Sequence, residues 1–592
     1  MAEIDDPMLL VVSETELPPG ERVWGTGGWL PPEDREGLDW LTLARLSGWG
    51  VTVTRRTGRG VDGDLSGGSR WIVLACDPDS LDEEVVRALA ARLTAVPLLI
   101  VARAGSADRP ITRLAGVARR PDRVAGRSLD WLGPGAKRSW NCRKPLAAAA
   151  LEVSARARAW ATLDGVPVIA ARLVGRGVVA TLGFHPSEAR DRDGAGTTLL
   201  RHLLIWGAGA PVAWHELEGS LVLRMDDPGG AQNVHLRSWS YAKLTEIEWG
   251  AIGADLRRRN GRLSIGYVSG WVDDGDSARG TLEVAGQQVA RVPGRVYPSP
   301  LVKYHDLAGF APGTLHDYDA EYQGIQALRA QGLADVELHG YTHMYADPAV
   351  WAKAPDRHEA SSWYRELGRA AETIIAGLPL DQRPLALGVA TIRRYFDVLP
   401  TTVIFPGDEF IKSPIERALD LGLRLVSSYY QALRDRDRFC WTQHVVAPYL
   451  DQAEASWFEA GLPVVGYFHD RDLAVHGVSW IGKCLDRWQA AGARRLLDFR
   501  ELATVVGRSL SLEEGPDGAR LTAAGEGTPA LVRPLMVAMR WPAGRLPTRV
   551  HVHLDGWEFS LQVEPLGDGL GRVVLPDSSG APAAVGDGVS PS

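Results

Sequence analysis

The chain is 592 residues long, 45% hydrophobic and 23% charged, with a formal net charge of -8. That length exceeds one hydrophobic core and predicts roughly three or four units. The charge excludes a general nucleic-acid binder, because phosphate binding needs a basic face. Acidic and basic residues are interspersed, so no polybasic segment offers itself to anionic lipid. No run is long and apolar enough to span a membrane.

The start, Met1-Ala2-Glu3-Ile4-Asp5-Asp6-Pro7, is acidic and lacks the regions of a secretory signal. Cys76, Cys142, Cys440 and Cys484 are scattered with no CxxC spacing. They argue for neither a disulfide framework nor a cysteine zinc site. Free thiols in a reducing cytoplasm are the expectation, although a trimmed secreted form would carry the same pattern.

Up to about residue 215, strand and helix signals alternate. Residues 8–13, 71–76 and 96–101 are apolar strand candidates, and 34–49, 82–93 and 197–206 carry helical patterns. Residues 168–174 and 177–183 read as a hairpin. Apolar strands alternating with helices indicate a parallel α/β sheet.

Residues 216–506 alternate as well. Strands are expected at 221–225, 263–268, 336–338, 402–405, 423–427, 464–468 and 495–497. Helices are expected at 241–259, 320–331, 361–377, 413–421 and 478–490. Units of this number predict a barrel or a distorted one. Residues 273–318, rich in Gly, Pro and Asp, read as an insertion near its mouth. From 507 to 577 the helical signal is lost, and short strands between turn residues predict a β-sandwich. Residues 578–592, mostly Gly, Ala, Pro and Ser, read as a disordered tail.

The chemistry concentrates at two strand ends. Leu221-Val222-Leu223-Arg224-Met225 runs into Asp226-Asp227-Pro228, and Val336-Glu337-Leu338 runs into His339-Gly340-Tyr341-Thr342-His343. Two imidazoles and one carboxylate make a facial ligand set for zinc or a similar divalent metal. The second carboxylate is left over for proton transfer. Asp-Asp-Pro alone is also a turn sequence, since Asp accepts backbone hydrogen bonds. The joint pattern, in order within one α/β region, points to catalysis.

That joint pattern resembles the polysaccharide deacetylase superfamily, whose best-known branch is carbohydrate esterase family four. The resemblance implies a distorted (β/α) barrel that removes acetyl groups from glycans with a metal-activated water. It implies Asp226 as base, Asp227, His339 and His343 as metal ligands, and His469, at the end of Val464-Val465-Gly466-Tyr467-Phe468, as acid. Asp470 or Asp472 would orient that imidazole. The family's third motif carries an Arg and a Pro. Here Val403-Ile404-Phe405-Pro406-Gly407-Asp408 supplies Pro406 without an Arg, and Arg393 or Arg394 is a substitute. Trp271 and Trp441, near loops, are the candidates for stacking on a sugar ring.

The region before the barrel resembles class I glutamine amidotransferases, whose fold is flavodoxin-like. Gly183-Phe184-His185-Pro186-Ser187-Glu188 resembles that family's His-Pro-Glu segment. The acid comes one place late, and Arg103-Ala104-Gly105-Ser106 holds no cysteine at the elbow. A thiolate nucleophile is what that chemistry needs, so this unit is expected to be catalytically silent.

The resulting expectation is an α/β multidomain hydrolase: 1–215 flavodoxin-like, 216–506 a deacetylase barrel, 507–577 a β-sandwich. Its substrate would be a glycan or acetylated amino sugar, its cofactor a divalent metal with zinc favoured. Neither nucleic acid nor membrane is an expected partner. The alternatives are a deacylase of a non-sugar metabolite and a non-catalytic glycan-binding protein.

Overall fold

The computed structural model describes residues 8–577 apart from 14–31, 58–59, 62–67, 189–194, 346, 348–363, 369–376, 411, 428–430, 436–437, 443–448, 459–460, 462, 516–517, 526–530, 532 and 543–545. The helix expected over 361–377 and the tail after 577 fall mostly or wholly outside these residues. Among the described residues, no helix is long and apolar enough to cross a membrane. Cys76, Cys142 and Cys484 are buried.

The first apolar runs do form parallel strands. Val51–Thr57, Leu9–Ser13, Trp71–Ala75, Leu99–Arg103 and Gly177–Leu182 lie side by side in that spatial order. The expected hairpin joins Gly177–Leu182 antiparallel to Val166–Val174. The sheet then continues through Arg158–Leu163 to a long hairpin, Val117–Trp131 with Arg138–Val153. That hairpin was not expected, because Arg119 to Ala125 shows almost no apolar alternation and lies mostly exposed.

The middle region is a parallel half-barrel sheet. Its spatial order is Leu425–Ser427, Thr402–Ile404, Ala334–Leu338, Leu263–Tyr267, Ser220–Asp226 and Val464–His469. Arg495–Leu497 pairs with the first part of Ser220–Asp226, on the edge whose later part meets Leu263–Tyr267. Ser220–Asp226 is buried throughout, as a strand flanked on both edges should be. Register places Asp226 opposite His469 on one side and Gly266 on the other. A Cβ at Gly266 would meet the Ile404 Cδ1 at 2.8 Å and Asp226 Oδ1 at 3.1 Å, so a larger residue there would press on the carboxylate.

Helix Glu246–Arg258 starts at a Thr245–Glu248 capping box. The insertion is folded rather than loose. Gly280–Val284, Gln287–Val289, Val302–Asp306 and Leu315–Asp317 form a four-stranded antiparallel sheet. Helix Pro384–Phe396, begun by a proline in its first turn, was not foreseen.

Two four-stranded sheets follow the barrel. One orders Ser509–Gly515, Gly518–Ala524, Arg549–Leu554 and Trp557–Gln562. The other orders Val212–His215, Leu535–Arg540, Leu570–Leu575 and Glu564–Gly567. Val212–His215, read from sequence as the end of the first unit, pairs antiparallel with Leu535–Arg540. Buried residues of both sheets, among them Leu521, Val552, Val537 and Val573, belong to one hydrophobic cluster.

Candidate metal centre

Consecutive strand residues point to opposite faces, so two adjacent carboxylates share a pocket only if the chain turns between them. It does turn here. Asp227 has φ 81°, a left-handed conformation that Asp tolerates better than most residues. The bend is held by Gly230 N donating to Asp227 O at 2.9 Å and Gly229 N donating to buried Glu321 at 2.7 Å.

The histidine turn is held in a similar way. Gly340 has φ 68° and His343 φ 63°. One buried carboxylate, Glu366, accepts from the backbone N–H of Tyr341 at 2.7 Å, Thr342 at 3.0 Å and His343 at 3.3 Å, and from the Thr342 hydroxyl at 2.8 Å. A Cβ at position 340 would meet Glu366 at 2.5 Å and Pro406 at 2.7 Å. Glycine follows the first histidine because carboxylate and proline fill that space.

Asp227 Oδ1 lies 3.2 Å from His339 Nε2 and 3.3 Å from His343 Nε2. One ligand atom from each residue lies within 4.8 Å of the others, and all three residues are buried. Ligands bound tetrahedrally at zinc distances stand roughly 3.3 Å apart, so the spacing suits one divalent ion. His339 Nδ1 faces the Ile404 carbonyl at 2.9 Å, which fixes the tautomer that presents Nε2 to a metal. Asp227 Oδ2 accepts from Trp239 Nε1 at 3.0 Å. Burial opposes ionisation of Asp227, but His343 and His339 hold its carboxyl well below the ordinary range.

Asp226 is claimed by a residue the sequence reading passed over. Arg224 Nε stands 2.9 and 3.0 Å from the two Asp226 oxygens, and Arg224 Nη2 also binds Oδ2. The guanidinium is buried, 3.6 Å from Asp408 and hydrogen-bonded to Ser427. Burial raises the Asp226 pKa, but Arg224 and then His339 bring it below the usual carboxylate value. The period-two rule held the signal, since residues 224 and 226 share a strand face.

His469 caps helix Asp470–His476. Its N–H donates to Asp472 at 2.8 Å and its Nδ1 lies 3.5 Å from the same carboxylate. Burial alone would lower its pKa, yet Asp472, Asp227 and Asp226 lift it to about 9. Its ring meets Trp239 edge-on at 5.1 Å. The next residue, Asp470, binds buried Lys243 at 2.8 Å, and Lys243 lies 3.3 Å from Glu321. This buried ion pair ties the His469 segment to the turn after Asp227.

The structure thus brings Asp226, Asp227, His339, His343 and His469 together, with Pro406 against Gly340. Two expectations are corrected. Trp271 is fully buried, packed on His235 and Tyr304, and has no face free for a sugar. Arg393, offered as the substitute for the third motif's Arg, is exposed in the last turn of Pro384–Phe396, and the guanidinium bound to Asp226 is that of Arg224. Trp441 sits in strand Arg438–Thr442, and its side chain lies outside the described residues. His316 is buried beside Asn233, and His305 lies near Glu283.

No protein-family model matches the chain, and no curated protein matches it. Among solved structures it is similar to Agd3, described as a novel carbohydrate deacetylase, with TM-score 0.41, 10% identity and 97% of each chain covered. A Mycobacterium smegmatis chain assigned as a polysaccharide deacetylase matches with TM-score 0.29 and 12% identity over 50% of this chain and 93% of that one. A β-galactosidase from Halorubrum lacusprofundi matches with TM-score 0.25 and 15% identity over 36% and 34%. At these scores the likenesses decide no activity, and the reading below rests on side-chain geometry.

Proposed function

We propose that the chain is a divalent-metal-dependent hydrolase that removes N-acetyl groups from an amino sugar or glycan. The observation that carries this reading is the convergence of Asp227, His339 and His343 beside two further groups of opposite protonation, Asp226 and His469. A bound divalent ion, zinc by preference, would supply Lewis acidity toward an acyl carbonyl and make nearby water more acidic.

The chain's own residues supply the proton transfers. Asp226, kept ionised and aimed by Arg224, takes a proton from the attacking water. The water oxygen bonds to the acyl carbon and the C–N bond breaks. His469, kept protonated by Asp472, gives its proton to the departing nitrogen. Trp239 holds Asp227 by donating its Nε1–H to Oδ2. The sugar part of the reading is supported by the Asp-Asp and His-x-x-x-His motifs and by half-buried Trp239 beside His469.

The outer regions are read as non-catalytic. The parallel strands of the first region, between Leu9 and Leu182, run in the spatial order 2-1-3-4-5, which supports a flavodoxin-like unit that ends before Val212–His215, a strand of the C-terminal sheet. The shared cluster between the last two sheets supports a β-sandwich over 507–577.

Acetate release from N-acetylglucosamine oligomers, before and after chelation, tests the activity. Release that stops on chelation and returns with zinc is expected. Release indifferent to chelation, or none from any acetylated amino sugar, would contradict it.

A further inference from the structure

Asp227 and His469 stand on two different pieces of chain. Asp227 turns out of strand Ser220–Asp226, and His469 ends the neighbouring strand Val464–His469. The ladder between these strands stops at the Asp226–His469 pair. Past that point both chains leave the sheet, so something other than strand pairing must fix one against the other.

A buried lysine does so. Lys243 lies in the loop between Trp239, which donates to Asp227, and Thr245, which caps helix Glu246–Arg258. Its Nζ is 2.8 Å from Asp470 Oδ2 and 3.3 Å from Glu321 Oε1, and all three side chains are at most 1% exposed. Each carboxylate spends its other oxygen on one part of the site. Asp470 Oδ1 accepts from Arg471 N at 2.8 Å and from the Tyr241 hydroxyl, in the first turn after His469. Glu321 Oε2 accepts from Gly229 N at 2.7 Å, in the bend after Asp227. The Tyr318 ring lies 5.1 Å from the ammonium, and its hydroxyl donates to Gly230 O at 3.1 Å in the same bend.

Stability does not account for this triad. Desolvation offsets the attraction within a buried ion pair, and an apolar replacement of similar shape is often neutral. Burial opposes the charge on Lys243, yet Asp470 and then Glu321 keep its pKa above the ordinary lysine value. Among the described residues it is the one cation paired with either carboxylate. What one ammonium between two carboxylates does secure is the distance between the two chain segments they hold.

We propose that Lys243 is a positioning residue that couples the two halves of the site, setting His469 through Asp470 and the Asp227 bend through Glu321. It acts only through these two carboxylates. The acid half rests on the hydrolase reading above, whereas the zinc half rests only on the metal centre.

An amide offers one acceptor where a carboxylate offers two. Glu321→Gln and Asp470→Asn therefore each break one link of the triad while keeping its shape. The full chain is titrated with zinc against a chromogenic chelator, and acetate release is followed at saturating zinc. Glu321→Gln should weaken zinc binding about 10–100-fold, as loss of ligand-supporting groups does. Asp470→Asn should keep zinc affinity and KM and lower kcat about 100-fold, as a misplaced catalytic group does. Lys243→Met should show both losses. That variant leaves two buried carboxylates unpaired, so the two isosteric variants decide the matter if it fails to fold. Lowered melting temperatures with zinc affinity and kcat unmoved would reduce the triad to support of the fold and overturn the proposal. Zinc binding weakened equally in Asp470→Asn and Glu321→Gln would overturn the division of roles. An unaltered chain that binds zinc but releases no acetate would end the hydrolase reading, and the zinc affinity of Glu321→Gln and Lys243→Met would still decide the coupling.

Discussion

Arg224 and Asp226 are two residues apart on one buried strand, and the guanidinium Nε lies 2.9 and 3.0 Å from the carboxylate oxygens. One strand therefore supplies the base and the cation that keeps it ionised. Arg224→Met strands a buried carboxylate, which costs about 3–5 kcal/mol in comparable pairs. Acetate release should fall about 100-fold, the loss typical of a misplaced group, while metal content is kept. Denaturant melts and turnover on the purified variant check this. Wild-type turnover would show that Asp226 needs no partner.

The pH profile follows from two opposed shifts. His469 is lifted above its ordinary 6.5 to about 9, so the acid form dominates below that value and is lost as pH rises through it. Asp226 is depressed, so the base form persists until pH falls below the ordinary carboxylate range. The rate should hold across neutral pH, fall in acid, and fall again in alkali as His469 loses its proton, at a pH below 9 once a divalent cation offsets the charge of Asp227. Asp472→Asn removes the largest lifting partner and should bring the alkaline limb down. An unmoved limb would assign it to another group. Stability has the same sign: the contribution of protonated His469 is present below pH 6.5 and lost as pH climbs toward 9.

Glu366 gathers the turn between the two histidines with four hydrogen bonds. Glu366→Ala should leave the secondary structure intact and weaken zinc binding about 10–100-fold, as loss of ligand-supporting groups does. A competition titration with a chromogenic chelator measures it. Unchanged affinity would mean the turn holds its shape unaided.

Trp271 now belongs to the core. Trp271→Ala should cost about 3–5 kcal/mol and lower the melting temperature, with KM of the folded fraction unchanged. A raised KM without loss of stability would return Trp271 to the substrate groove.

Asp227, His339 and His469 were legible because each stands at the end of an apolar strand, with His343 four residues after His339, and parallel pairing gathers those strand ends at one end of the sheet. Arg224 was legible in principle, as the only basic residue within Leu221 to Met225, but a charged residue inside a buried strand reads as an anomaly until its partner is seen. Asp470 and Asp472 were both candidates to orient His469, and the structure divides them: Asp472 takes His469, and Asp470 takes Lys243. Glu366 was harder: it acts on a turn through backbone N–H groups, and no residue pattern announces where such a turn will find its acceptor. Trp271 misled because nearness to a loop in sequence says nothing of burial, and the folded insertion covers it. The long hairpin from Val117 to Val153 escaped because its exposed first strand carries little apolar alternation.

The central claim is that Asp227, His339 and His343 hold one ion. Anomalous diffraction at the zinc edge, from crystals grown with zinc, addresses it directly. The account predicts one strong peak about 2.0–2.2 Å from Asp227 Oδ1, His339 Nε2 and His343 Nε2. Zinc-grown crystals with no peak among these three atoms, or a peak bound elsewhere with them unligated, would contradict it.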